Sequence, residues 1–137
     1  TWCAVLGVGV AQRCIDEAVA YSKQRVQFGK PICKNQAIQF KIADMEIRTE
    51  ASRQLIAHSI RLADMGLPFS KESAAAKCFT GDSVMQTAID AVQILGGYGY
   101  SREYPVEKLM RDAKIFQIFE GTNEVQRFVV ANNVMGK

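Results

Sequence analysis

Apolar residues return every three or four positions along most of the chain. Val5, Val8, Ala11, Ile15 and Ala18 form the first such stripe and predict a helix over roughly 2–26. The pattern breaks at Phe28-Gly29-Lys30-Pro31, where glycine and proline both oppose helix. A second helix is predicted over roughly 36–65, with Asn35 as N-cap and Ile38, Ile42 and Met45 on one stripe. Leu55, Ile56 and Ile60 extend it, and Gly66 and Pro68 end it. A third helix, roughly 70–95, takes Ser70 as its cap and aligns Met85, Ala88, Ile89, Val92 and Leu95 on one face. Gly96-Gly97-Tyr98-Gly99 stops it, because glycine tolerates the left-handed turn of a C-cap. Pro105 suits the first turn of a shorter helix over 106–114. Residues 115–119 read equally well as extended or helical. Gly121-Thr122 opens a last helix, with Thr122 as cap and Phe128, Val129 and Val134 as packing residues. No strand alternation persists and no internal repeat appears, so the pattern predicts an up-and-down helical bundle.

Composition sharpens this picture by exclusion. A chain of 137 residues, 48% apolar and 23% charged, holds one domain with a real core and does not read as disordered. Its net charge of +3 is mild, and lysine and arginine are interspersed with acids, so no basic stripe for nucleic acid is present. Cysteines stand at 3, 14, 33 and 78 without a C-x-x-C pair, and His58 is the single histidine. That spacing argues against a metal site and against a disulfide framework. It reads as free buried thiols in a reducing compartment. His58, within the second helix, reads as a helix-surface residue, and Arg111 with Asp112 reads as a structural ion pair. The longest apolar stretch, Trp2 to Ala11, is too short to cross a bilayer and lacks the basic segment of a signal peptide. The first residue is threonine, which points to a piece of a longer chain whose first helix begins upstream.

Three polar segments containing glycine interrupt the helices. Arg25-Val26-Gln27-Phe28-Gly29 sets a cation, an amide and an aromatic near a helix end. This suits an anionic ligand with a ring, but on chemistry alone a helix-end arginine with Phe28 in the core is the favoured reading. Gln93-Ile94-Leu95-Gly96-Gly97-Tyr98-Gly99 exposes backbone amides after a helix. It lacks the strand and spacing of a Rossmann fingerprint, and on the residues alone a plain C-cap is the favoured reading. Phe119-Glu120-Gly121-Thr122-Asn123-Glu124 places a carboxylate just before a helix N-terminus, where free amides gather. Such a carboxylate suits removal of a proton beside a carbonyl, but a Glu before a capped helix is more commonly a simple partner of the helix dipole, and on the residues alone that reading is favoured.

Taken together, these segments resemble the acyl-CoA dehydrogenase family. The resemblance rests on Arg25-Val26-Gln27-Phe28-Gly29-Lys30-Pro31-Ile32, Asn35-Gln36-Ala37 and Asp90-Ala91-Val92-Gln93-Ile94-Leu95-Gly96-Gly97-Tyr98-Gly99. It continues through Tyr104-Pro105-Val106-Glu107-Lys108-Leu109-Met110-Arg111-Asp112-Ala113-Lys114-Ile115 and Phe119-Glu120-Gly121-Thr122-Asn123-Glu124-Val125-Gln126-Arg127. Order and spacing match over essentially the whole chain. The resemblance implies an all-α fold, an up-and-down four-helix bundle with an additional short C-terminal helix. Residues 1–137 would be the C-terminal helical domain of a longer enzyme.

The resemblance also implies a cofactor and a set of roles. FAD would lie at a subunit interface of a homotetramer built from dimers. Arg25 and Gln27 would contact the FAD of the neighbouring subunit, with Phe28 packed near that flavin and Gln36 close to it. Gln93, Gly96 and Gly97 would hold its nucleotide end. Thr122 and Glu124 would contact the FAD of their own subunit. Glu120 would be the catalytic base, and Phe119, standing where many members have tyrosine, would lie with Gly121 against the acyl-CoA substrate. The implied reaction is α,β-dehydrogenation of an acyl-CoA thioester, of short or medium chain, with electrons passed on to an electron-transferring flavoprotein. Bacterial cytoplasm and mitochondrial matrix both suit it. A non-catalytic helical oligomerisation module, an acyl-CoA oxidase and an enoyl-CoA reductase are the alternative readings.

Overall fold

The computed structural model describes residues 1–136 and is built from five helices. They are α1 (Trp2–Gln24), α2 (Gln36–Asp64), α3 (Ser70–Leu95), α4 (Val106–Ile115) and α5 (Asn123–Met135). Thr1 meets Ser73 and Ser59, whereas Tyr21 stacks near Tyr98, so α1 runs parallel to α3. Ion pairs from Lys41 and Arg48 to Asp90 set α2 antiparallel to α3. Tyr104 stacks on Tyr21 near the end of α3, and Phe116 lies near Gly7, which returns α4 in the opposite sense. The result is an up-down-up-down bundle with α5 as the added short helix, the expected all-α architecture.

Helix α3 is the axis, packing against all four other helices. Its buried face is small: Ala74, Ala76, Thr80, Gly81, Val84, Ala88 and Ala91. Short side chains let neighbouring helices approach closely. Gly81 marks the tightest point, because a Cβ there would lie 2.7 Å from the Phe116 carbonyl oxygen and 3.0 Å from the Asn123 side chain. Met45, Val84, Val106 and Cys14 are completely buried in the main core.

Several expectations are corrected. A two-residue antiparallel hairpin, β1 (Val26–Gln27) and β2 (Lys30–Pro31), occupies the link after α1, turning through Phe28 and Gly29 at positive φ. The stretch is too short for strand alternation to be visible. Residues 115–119 are neither a strand nor a further length of helix: α4 ends at Ile115, and i→i+3 bonds from the Phe116, Gln117 and Ile118 amides close the chain into a turn. Phe69, not Ser70, is the N-cap of α3, and Asn35 caps α2 without a side-chain bond. Val5, Ile89, Phe128 and Val134 are solvent-exposed, with Phe128 at 66%. Arg111 pairs with Glu107 at 3.0 Å and Lys108 with Asp112, one turn apart in each case. Adjacent residues on a helix diverge, so Arg111 and Asp112 do not meet. The four cysteines are free, two of them buried and two half-buried.

Candidate functional site

Polar groups gather at the two ends of α1, whose 23 residues span about 35 Å. At its N-terminal end lies the turn between α4 and α5. Glu120 has φ 55° and Gly121 φ 85°. A left-handed conformation at a residue other than glycine costs about 1–2 kcal/mol. The turn persists because both of its carbonyls are taken up. Gln126 Nε2 donates to Glu120 O at 3.1 Å and to Gly121 O at 3.4 Å. Lys77 Nζ donates to Gly121 O at 2.7 Å. Glycine is needed at 121 for its φ and for space, as a Cβ there would lie 2.5 Å from Gln126 Nε2.

The helix that follows is capped as the sequence predicts. Thr122 Oγ1 accepts from the Val125 amide at 3.3 Å. Glu124 lies in the first turn of α5, where its own backbone N–H and the Thr122 hydroxyl hold its carboxyl below the usual range. Beneath the turn, Asn123 is 2% exposed. It accepts from Lys77 at 3.0 Å and donates to Cys78 O at 3.1 Å and Asp82 Oδ1 at 2.9 Å. Asp82 also accepts from Gln117 at 2.7 Å and Arg127 at 2.6 Å. Burial pushes the Asp82 carboxyl up, but the donors Gln117, Arg127 and Asn123 outweigh it and hold the group below its ordinary pKa.

Glu120 is exposed and lines a cavity of about 410 Å3 with Phe119, Lys77, Cys3, Trp2 and Gln126. Phe119 is held edge-on against Phe116, ring centroids 5.5 Å apart. Burial pushes the Cys3 thiol up, with the Lys77 cation opposing and the Glu120 charge adding to the shift. Phe119, Glu120, Gly121, Thr122 and Glu124 thus come together as one turn and helix start.

The second cluster sits at the other end of α1. Arg25 follows the helix, its guanidinium 5.4 Å from the Tyr98 ring centroid. Tyr98 packs with Tyr21 and Tyr104 at centroid distances of 5.7–6.4 Å. A cavity of about 480 Å3 is lined by Arg25, Gln27, Tyr21, Tyr98, Gly96 and Gly97. Gly96 has φ 61°, and a Cβ at Gly96 or Gly97 would meet nothing within 4 Å, so this backbone borders open space. Phe28 is 96% exposed rather than packed in the core. Gln36 opens α2 and Gln93 lies in the last turn of α3. Both are exposed, and neither lines the cavity.

Lys77, Asp82, Asn123 and Gln126 escaped the sequence reading. A signal existed for Lys77: it shares the apolar face of Ala74, Gly81 and Val84, where a charge is out of place. Among the described residues no group of three histidine, cysteine or acidic side chains is arranged to hold a metal. No helix of the described residues is long and apolar enough to cross a membrane.

The comparisons with known proteins agree with this geometry. Residues 2–135 match the family described as acyl-CoA dehydrogenase, C-terminal domain. An acyl-CoA dehydrogenase of Bacillus subtilis is 51% identical over 133 residues, 97% of this chain and 35% of that protein. The structure of butyryl-CoA dehydrogenase from Megasphaera elsdenii superposes with a TM-score of 0.95 at 50% identity, covering 97% of this chain and 35% of the other. A chain in the electron transferring flavoprotein structure from Acidaminococcus fermentans, a study of flavin-based electron bifurcation, gives 0.96 at 47% identity, covering 98% and 36%. The chain therefore spans about a third of the length of the curated relatives it matches. With its bundle, its turn before α5 and this similarity over nearly every residue, the chain belongs to the acyl-CoA dehydrogenase family, as a C-terminal helical domain.

Proposed function

We propose that this chain is the C-terminal third of an FAD-dependent enzyme that converts acyl-CoA thioesters to trans-2-enoyl-CoA, with Glu120 as the base. The observation that carries this reading is the Glu120 turn itself. An exposed carboxylate is held in a left-handed conformation beside an aromatic ring, against a cavity and before a helix N-terminus. Strained backbone maintained by several hydrogen bonds is a feature of working sites. The α-proton of the thioester passes to the Glu120 carboxylate, and the electron pair left behind becomes the new double bond as hydride leaves the β-carbon. Bound FAD supplies the acceptor for that hydride. Charge that develops on the thioester oxygen needs donors, and the Glu120 N–H is one that this chain offers. One preorganised donor is worth roughly 3–4 kcal/mol. Phe119 supplies a flat wall for the acyl group.

The second cavity fits a flavin dinucleotide on its donor set. It combines one cation, one amide, exposed glycine backbone and a tyrosine face. Among the described residues, no carboxylate lies within ion-pair distance of Arg25. Its charge is thus available for a pyrophosphate. Arg25, Gln27, Phe28, Gln36, Gln93, Gly96 and Gly97 serve the FAD of a neighbouring subunit, while Thr122 and Glu124 serve the FAD of their own. Separation of the two clusters by the length of α1 supports this division, and with it a homo-oligomer. Electrons leave to an electron-transferring flavoprotein. Bacterial relatives favour the bacterial cytoplasm over the mitochondrial matrix.

Glu120→Gln in the flavin-loaded enzyme containing this domain tests the reading. Addition of butyryl-CoA should bleach the native flavin at once and leave that of the variant oxidised, with FAD content unchanged. Rapid bleaching of the variant would refute the assignment.

A further inference from the structure

Lys77 is 4% exposed, yet among the described residues it has no carboxylate within ion-pair distance. Its ammonium donates instead to the Gly121 carbonyl at 2.7 Å and to Asn123 Oδ1 at 3.0 Å. A buried cation without a counter-ion is a costly way to link two helices, and an apolar side chain would fill the space better. What the cation does is seize a carbonyl in the turn that carries Glu120. Gln126 seizes the carbonyl before it, at 3.1 Å.

Resting on the reading of Glu120 as the base, we infer that Lys77 and Gln126 are positioning residues which aim its carboxylate by clamping the two peptide planes that follow it. The C=O and N–H of a trans peptide point in opposite directions. Holding Glu120 O therefore turns the Gly121 N–H outward, and holding Gly121 O does the same to the Thr122 N–H. Neither N–H meets a backbone acceptor among the described residues. The two held planes meet at Gly121 and so fix its φ and ψ, and the first of them also anchors the Cα of Glu120, which limits where its side chain can point while its own φ stays in the left-handed region that the residue alone disfavours. Lys77 and Gln126 line the same cavity as Glu120, so the clamp and the carboxylate share one wall. Asn123 completes the device by holding the ammonium from the other side, and is itself tied to α3 through Cys78 O and Asp82.

The test is Lys77→Met in the flavin-loaded enzyme containing this domain, read by single-turnover reduction with butyryl-CoA. Loss of alignment should lower the limiting rate per bound flavin about a hundredfold. Substrate Kd should stay within about threefold, since alignment and not binding is lost. The Gly121 and Thr122 amides should exchange with solvent faster than in the native protein. A lysine that merely supports the fold would lower the melting temperature and leave the limiting rate per bound flavin unchanged, and that result overturns the inference. Should this variant not accumulate as folded protein, Gln126→Leu removes the other clamp from the surface. The same split is expected, and an unchanged limiting rate again overturns it. Glu120→Gln measured alongside separates the two ideas: if it reduces flavin normally the base assignment fails, whereas inert Glu120→Gln with clamp variants at full speed defeats the clamp alone.

Discussion

Thr80 shows how closely α3 is fitted to its neighbours. It is 2% exposed, its Oγ1 has no hydrogen-bond partner among the described residues, and its methyl lies 3.1 Å from where a Cβ at Gly7 would stand. The missing side chain at Gly7 leaves room for this methyl and lets α1 come close, but the hydroxyl is desolvated without return. Thr80→Val keeps the shape and removes the polar atom. It should raise the free energy of unfolding by about 1 kcal/mol, read from urea denaturation. A loss of stability would mean that the hydroxyl has an acceptor after all. Cys14, two turns further along α1 from Gly7, is the opposite case: burial pushes its thiol up to about 12, and it packs as an inert small residue.

Three elements meet at one carboxylate. Asp82 on α3 accepts from Gln117 just beyond α4 and from Asn123 and Arg127 on α5. The carboxyl is partly buried, which pushes its pKa up, and the three donors more than reverse this. A depressed folded-state pKa means that the stabilisation is present above the unfolded value of about 3.9 and is lost as pH falls through the folded value. Asp82→Asn should therefore cost about 1 kcal/mol at neutral pH, a modest figure because the Arg127 pair is partly exposed. The difference from the native chain should shrink as the pH is taken down to about 3 in urea melts. A cost that stays constant with pH would exclude the charge as its source. Gly81 explains why these elements meet at all, since any side chain there would strike the Phe116 carbonyl and Asn123.

Considered whole, the molecule keeps its two polar clusters apart and leaves much apolar area uncovered. Trp2 is 83% exposed, Phe28 96%, Tyr100 80% and Val134 73%. Such exposure marks a surface that meets other protein or ligand where the residues adjoin, as Val134 does with Phe79, Val130 and Met135 along one groove. It agrees with the proposed place of the domain within a larger flavoprotein assembly. Arg25 stands a full helix length from the Glu120 turn, so its loss should act on the cofactor and not on the base. Arg25→Ala in the assembled enzyme should raise the Kd for FAD about tenfold, the worth of one charge-assisted contact to phosphate. Flavin fluorescence after dilution measures this directly. A variant that stays fully flavinated would remove Arg25 from the cofactor site.

The bundle was legible in the chain because helices are local: Ala11, Ile15 and Ala18 recur one turn apart, and Gly66 and Gly96 stop helices by their own backbone freedom. The run from Phe119 to Glu124 was legible as one motif for the same reason, since its residues are neighbours. The hairpin at Val26 to Pro31 was not, because two-residue strands leave no period to read. Nor were the partners of the Glu120 turn. Lys77 reaches Gly121 and Asn123 across 44 and 46 positions, and Asp82 reaches Asn123 and Arg127 across 41 and 45. Local periodicity registers Lys77 only as a charge on the wrong face. Which carbonyl receives that charge depends on how closely α5 lies against α3, and that distance is set by packing at Gly81, which stands one turn along α3 from Lys77 but far along the chain from Gly121, the other end of the hydrogen bond it permits.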